Sequence, residues 1–126
     1  MKILGIDYGT KRIGVAVSDE TRTIAMPVTV LRTSDLALRE IIEIARQHEA
    51  TEIVIGESRD YKQQPNAIFE EADAFKKELE KKGFTVYLEL EFMTSVNAER
   101  FQGKTALTDA SAAALILQSY LDRTKA

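Results

Sequence analysis

Cysteine is absent from the 126 residues. That excludes disulfides, zinc–thiolate centres and thiol nucleophiles, and it fits a reducing compartment such as the cytoplasm. Histidine is almost absent as well. His48 is the single one, so mechanisms that need paired imidazoles are excluded. No apolar run approaches the roughly 20 residues that span a bilayer, and no membrane partner is expected. Residues 1–10 contain Lys2 but no long apolar stretch, and Asp7 interrupts them, so they do not read as a secretory signal. An excess of basic charge is missing too. The 17 Lys and Arg against 20 Asp and Glu leave a net charge of −3, which weighs against broad adhesion to nucleic acid but not against an enzyme that grips a substrate locally.

What is present describes a soluble globular chain: 44% hydrophobic and 29% charged residues. The length predicts one domain over residues 1–126, able to bury roughly two-thirds of its unfolded surface. No internal repeat, low-complexity tract or linker interrupts it.

Apolar patterning predicts strands over Lys2 to Asp7, Ile13 to Ser18, where Ile13, Val15 and Val17 alternate with small partners, and Ile24 to Leu31. Tyr8-Gly9-Thr10-Lys11 reads as the first turn, with Gly9 supplying a positive φ. Pro27 marks the third strand as an edge or a bulge. Helical spacing then takes over. Ser34 is a candidate N-cap for a helix with Leu38, Ile41, Ile42 and Ala45 on its inner face. His48 reads as its solvated C-terminal cap. Glu52 to Gly56 is a short strand around Ile53-Val54-Ile55. A second helix opens at Pro65 or Asn66, turns Ile68, Ala72, Phe75 and Leu79 inward, and ends at Gly83. Thr85 to Glu89 is the fifth strand. A short helix is predicted across Ser95 to Phe101, and a last one from Thr108 to Leu121. The order β-β-β-α-β-α-β-α implies an α/β fold: a mixed five-stranded sheet flanked by helices, the ribonuclease H-like arrangement.

Three carboxylates stand where that arrangement can bring them together. Asp7 ends the first strand, Glu91 lies just past the fifth, and Asp109 sits in the first turn of the last helix. Clustered carboxylates offer hard oxygen ligands suited to Mg²⁺ or Mn²⁺. Such ions can activate water for phosphodiester hydrolysis. Each acid also has a structural reading: Asp7 as a turn-closing side chain, Glu91 as an exposed strand-end acid beside Glu89, and Asp109 as a complement to the helix dipole.

The stretch Gly5-Ile6-Asp7-Tyr8-Gly9-Thr10-Lys11-Arg12-Ile13-Gly14-Val15-Ala16-Val17-Ser18-Asp19 resembles the opening of the YqgF family, also called RuvX. The segment Thr108-Asp109-Ala110-Ser111-Ala112-Ala113-Ala114, followed by Ile116-Leu117-Gln118-Ser119-Tyr120-Leu121, resembles that family's closing helix. The resemblance implies a ribonuclease H-like nuclease with Asp7, Glu91 and Asp109 as catalytic, metal-holding triad. It further implies processing of the 5′ end of pre-16S rRNA, or resolution of Holliday junctions in DNA. Two segments depart from the family pattern. Gly56-Glu57-Ser58-Arg59-Asp60-Tyr61-Lys62 replaces a Gly-Leu-Pro loop. In Leu90-Glu91-Phe92-Met93-Thr94-Ser95 the usual Asp before and Arg after the glutamate are gone.

Lys11, Arg12, Thr94 and Lys104 are the candidate contacts to nucleic acid, with Arg59 and Lys62 placed to rim the same face. Solvated surface cations are the competing reading. Tyr8 is weighed between stacking on a base and packing against a neighbouring strand. Three functions stay open: a Mg²⁺-dependent endonuclease of structured RNA, a junction-resolving DNase, and a nucleic-acid-binding protein without catalysis. The DNase predicts a dimer; the others are compatible with a monomer.

Overall fold

The computed structural model describes the backbone of residues 1–9, 11–58, 66–91 and 106–124, and the side chains of these except at 57–58, 66–70, 90–91 and 106–110. Five strands, β1 (Ile3–Tyr8), β2 (Arg12–Ser18), β3 (Ala25–Arg32), β4 (Glu52–Ser58) and β5 (Thr85–Glu91), form one mixed sheet in the order β3-β2-β1-β4-β5. Among the described residues three helices accompany it: α1 (Ala37–Gln47), α2 (Asn66–Lys81) and α3 (Ala106–Thr124). The element order, the sheet and the ribonuclease H-like arrangement agree with the sequence reading. The predicted short helix across Ser95 to Phe101 lies outside the described residues.

β1 is central because both its faces can be buried. Leu4, Ile6 and Tyr8 belong to the core that also holds buried residues of α1 and α2, while Ile3 belongs to the core under α3. β1 runs antiparallel to β2 and parallel to β4. β3 is an edge, and Pro27 there lacks the N–H that a central strand would need. The β2–β3 register slips between Val15, opposite Thr29, and Ala16, opposite Pro27, so Val28 is the extra residue of a bulge. Both expectations for Pro27 hold.

α1 buries Ala37, Ile41, Ile42 and Ala45, one stripe at helical spacing. It starts later than Ser34 suggested. The Ser34 hydroxyl accepts the Leu36 N–H at 3.2 Å, closing a turn before the helix, and Leu36 is the N-cap with no side-chain cap bond. At its end His48 is the C-cap, and the chain turns through Glu49 at φ 57°, with Ala50 N–H donating to Ala45 C=O at 2.8 Å. The end of α2 repeats this exit with Gly83 at φ 101° and Phe84 N–H donating to Leu79 C=O at 3.2 Å.

Candidate nucleic-acid-processing site

Strand alternation decides which face carries Asp7. Its neighbours Ile6 and Tyr8 pack into the core that includes α1 and α2, so Asp7 faces the α3 side. Across the two ladders Asp7 is opposite Gly14 on β2 and Gly56 on β4. The strand on either side holds its backbone, and it is partly exposed at the C-terminal end of β1.

α3 runs antiparallel to β1. Ile116 packs where a Cβ on Gly56 would fall, and the Leu117 Cβ lies 2.7 Å from where one on Gly5 would be. Gln118 reaches the other end of the sheet, accepting the Ala25 N–H and donating to Thr23 C=O, both at 2.9 Å. The Ala113 carbonyl oxygen lies 3.3 Å from the position of the Gly5 Cβ. From Ala113 back to Asp109 is about one turn, roughly 6 Å of rise. From Gly5 forward to Asp7 is two strand residues, roughly 6.6 Å. The backbones at 7 and 109 therefore reach the same end of the sheet. Glu91, read from sequence as lying just past β5, is its last residue, opposite Ser58 on the parallel strand β4. Positions 7, 91 and 109 thus share the edge formed by the carboxyl ends of β1, β4 and β5, where ligands of open α/β sheets are usually bound. Among the described residues no three Asp, Glu or His gather as a metal-holding group, and the side chains of Glu91 and Asp109 are not among those described.

Lys11 and Arg12 are exposed at this same end. The turn that carries them is pinned to the end of β3. Thr33 donates its hydroxyl to Gly9 C=O at 2.7 Å and its N–H to Lys11 C=O at 3.0 Å. Gly9 is required there for a reason other than the one expected. Gly83 is the glycine with a positive φ among the described residues, whereas a Cβ on Gly9 would sit 2.6 Å from the Arg12 carbonyl oxygen. Close backbone approach, not left-handed geometry, selects it. Thr94, Lys104, Arg59 and Lys62 lie outside the described residues.

Tyr8 packs rather than stacks on a ligand. It is buried, with its ring 5.3 Å from that of Phe75. Burial, and then the charge and hydrogen bond of Glu71, push its hydroxyl above the ordinary phenol range.

Glu89, beside which Glu91 reads from sequence as an exposed acid, is itself buried. It is 6% exposed, ion-paired to Arg123 and within 3.4 Å of the Ser119 hydroxyl on α3. The signal was available in β5: Val86 and Leu88 turn toward the α1–α2 core, so Tyr87 and Glu89 must face α3.

The fold is shared with solved resolvases at low identity. RuvC of T. thermophilus in complex with a Holliday junction substrate matches with a TM-score of 0.58 at 19% identity, covering 99% of this chain and 97% of that one. The fowlpox virus Holliday junction resolvase matches with a TM-score of 0.59 at 15% identity, covering 98% and 99%. Sequence relatives are nearer. A protein of Opitutus terrae is 38% identical, covering 98% of this chain and 92% of its own length. One of Ruminiclostridium cellulolyticum is 33% identical, covering 98% and 95%. Both carry the provisional name pre-16S rRNA nuclease. The family model described as RuvX, Holliday junction resolvase, matches residues 1–123. With relatives this similar along almost their whole length, and with Asp7 on the central strand of the same sheet, the chain belongs to the RuvX family.

Proposed function

We propose that this chain is a metal-dependent endonuclease that hydrolyses phosphodiester bonds in structured RNA, acting in the cytoplasm on the 5′ end of pre-16S rRNA. The observation that supports the reading is that backbone positions 7, 91 and 109 lie at the same end of the sheet, in a chain 38% identical to a relative named for pre-16S rRNA cleavage. In this reading Asp7, Glu91 and Asp109 are the catalytic carboxylates and hold Mg²⁺ or Mn²⁺.

The donor set suits those ions. It is all carboxylate oxygen, there is no thiolate in the chain, and the single histidine closes α1 at the opposite end of the sheet. A cation held by Asp7, Glu91 and Asp109 would supply Lewis acidity toward a phosphodiester oxygen and lower the pKa of water. The rest is the work of the chain. Asp7, fixed between two ladders, sets where the reacting phosphate sits. Lys11 and Arg12 hold neighbouring phosphates on the β2 side, and Thr94 and Lys104 contact the backbone from the segment between β5 and α3. Phe92 stands where the family has an arginine, so the phosphate grip falls more heavily on the β2 side.

Cleavage of a precursor RNA with Mg²⁺, together with Mn²⁺ titration, tests the proposal. Asp7→Asn should abolish both cleavage and specific Mn²⁺ uptake. Cleavage that survives this change would sink the mechanism. The family description favours a second substrate, branched DNA. A four-way junction in the same assay decides between them, and junction cutting would require a stable dimer in solution.

A further inference from the structure

We propose that Arg32, at the end of β3, forms with Arg12 a two-arginine rail for the phosphodiester backbone of nucleic acid, leading away from Asp7 toward the β3 edge. The inference deepens the nuclease reading and rests on it.

Register places the two arginines. Ile13 and Leu31 are opposed across the β2–β3 ladder and pack toward the α1–α2 core. The next opposed pair is Arg12 and Arg32, which therefore face the other way, onto the side of the sheet that carries Asp7. Gly14 is opposite Asp7, and Arg12 is two residues from Gly14. Arg12 is thus the diagonal neighbour of Asp7, about 7–8 Å away by ordinary sheet geometry, and Arg32 is one strand further out, about 5 Å from Arg12. Asp7, Arg12 and Arg32 lie in order across three adjacent strands.

The arrangement is rigid where it matters. Both Thr33 bonds to the Gly9–Lys11 turn lie one residue from Arg32 and hold the end of β3 against the start of β2. Charge pairing separates Arg32 from five other surface cations among the described residues. Arg22, Lys76, Lys77, Lys81 and Arg123 each pair with a carboxylate. Arg32 is exposed and has no hydrogen-bond or ion-pair partner among the described residues. A guanidinium offers a planar fork of donors that matches phosphate, and two forks side by side fit successive phosphates of one strand better than a single small anion.

The test is the salt dependence of binding, by fluorescence anisotropy, of a labelled RNA hairpin with a single-stranded tail, without divalent ions. Each phosphate contact contributes about 0.7 to the slope of log affinity against log salt for a single strand and about 0.9 for a duplex. Arg32→Gln should lower the slope by one such increment and weaken binding about tenfold at low salt. The size of the loss tells which part of the hairpin lies on the rail. Arg39→Gln removes the same charge from the exposed surface of α1 and should leave the slope unchanged. If the unaltered protein binds and Arg32→Gln matches it, or matches Arg39→Gln, the rail is overturned while the nuclease reading stands. If the unaltered protein binds neither the hairpin nor a DNA junction, both fall together.

Discussion

Gly5 on β1 and Leu117 on α3 approach so closely that a methyl group on the glycine would lie 2.7 Å from the leucine Cβ. Gly56 on β4 makes the same demand on Ile116, with side-chain atoms at 2.5 Å. These contacts fix how deep α3 sits on the sheet, and so where Asp109 stands relative to Asp7. Gly5→Ala and Gly56→Ala should each destabilise the fold by about 1–3 kcal/mol through overpacking. Thermal unfolding should show it as a fall of several degrees. Cleavage, measured well below that transition, should fall further than the folded fraction, because the helix is lifted at the site. Gly5 lies opposite the Ala113 carbonyl, which cannot rotate away, so it should be the less tolerant of the two positions.

Removing one member of the Glu89–Arg123 pair should cost more than removing both. Glu89 is 8% exposed at its side chain whereas Arg123 is 60% exposed. Arg123→Ala leaves a buried carboxylate with the Ser119 hydroxyl at 3.4 Å. Because Arg123 faces solvent, the loss is about 1–2 kcal/mol, at the low end for a buried charged acceptor. Glu89→Leu combined with Arg123→Ala should recover part of it. Urea unfolding of the two single variants and the double variant closes the cycle. Equal losses in Arg123→Ala and the double variant would show that the carboxylate finds water instead.

Acid should weaken the fold through the loop end of the sheet. Hydrogen bonding to Arg22, whose guanidinium lies 2.7 Å away, holds the Glu52 carboxyl below its ordinary value of 4.5, against the opposing effect of burial. Asp19 is held below its ordinary 3.8 by the backbone N–H groups of Ile24 and Thr23 and by the Thr21 hydroxyl. A carboxyl that binds its proton more weakly when folded stabilises the fold above its unfolded pKa. That contribution is lost as pH falls through the lowered value. Stability should therefore be full at neutral pH and decline below the ordinary carboxylate range. Glu52→Gln should flatten part of the decline, as read from urea midpoints at about pH 7 and about pH 3. An unchanged pH profile in Glu52→Gln would remove Arg22–Glu52 from the account.

Elements were legible where one period or one special residue determined the outcome. Apolar patterning, alternating in β2 and a continuous run in β4, marked the strands, Pro27 marked the edge and bulge, and Gly83 marked the exit from α2. The misreadings share a cause, namely contacts between residues distant in sequence or backbone placements that identity alone does not reveal. Gly9 answers to the Arg12 carbonyl rather than to its own φ. Glu89 reads as solvated because Arg123, 34 residues later, is invisible until α3 crosses β5. Glu49 occupies a left-handed position that a glycine would suit, and nothing in its side chain announces it. Of the candidate site, the place of Asp7 near the end of the first strand was legible from apolar patterning, and its candidacy as a metal ligand came from the resemblance. The approach of position 109 depended on two glycines that only packing could interpret.

Asp7 belongs to the strand with two neighbours on each side, β2 and β3 on one and β4 and β5 on the other. A residue so placed cannot fray with a terminus or an edge. Its amide should be among the last to exchange with deuterated solvent, released only when the whole sheet opens. Damage at the edges of the sheet would then reach this carboxylate as a smaller population of intact molecules, not as a displaced strand in each one.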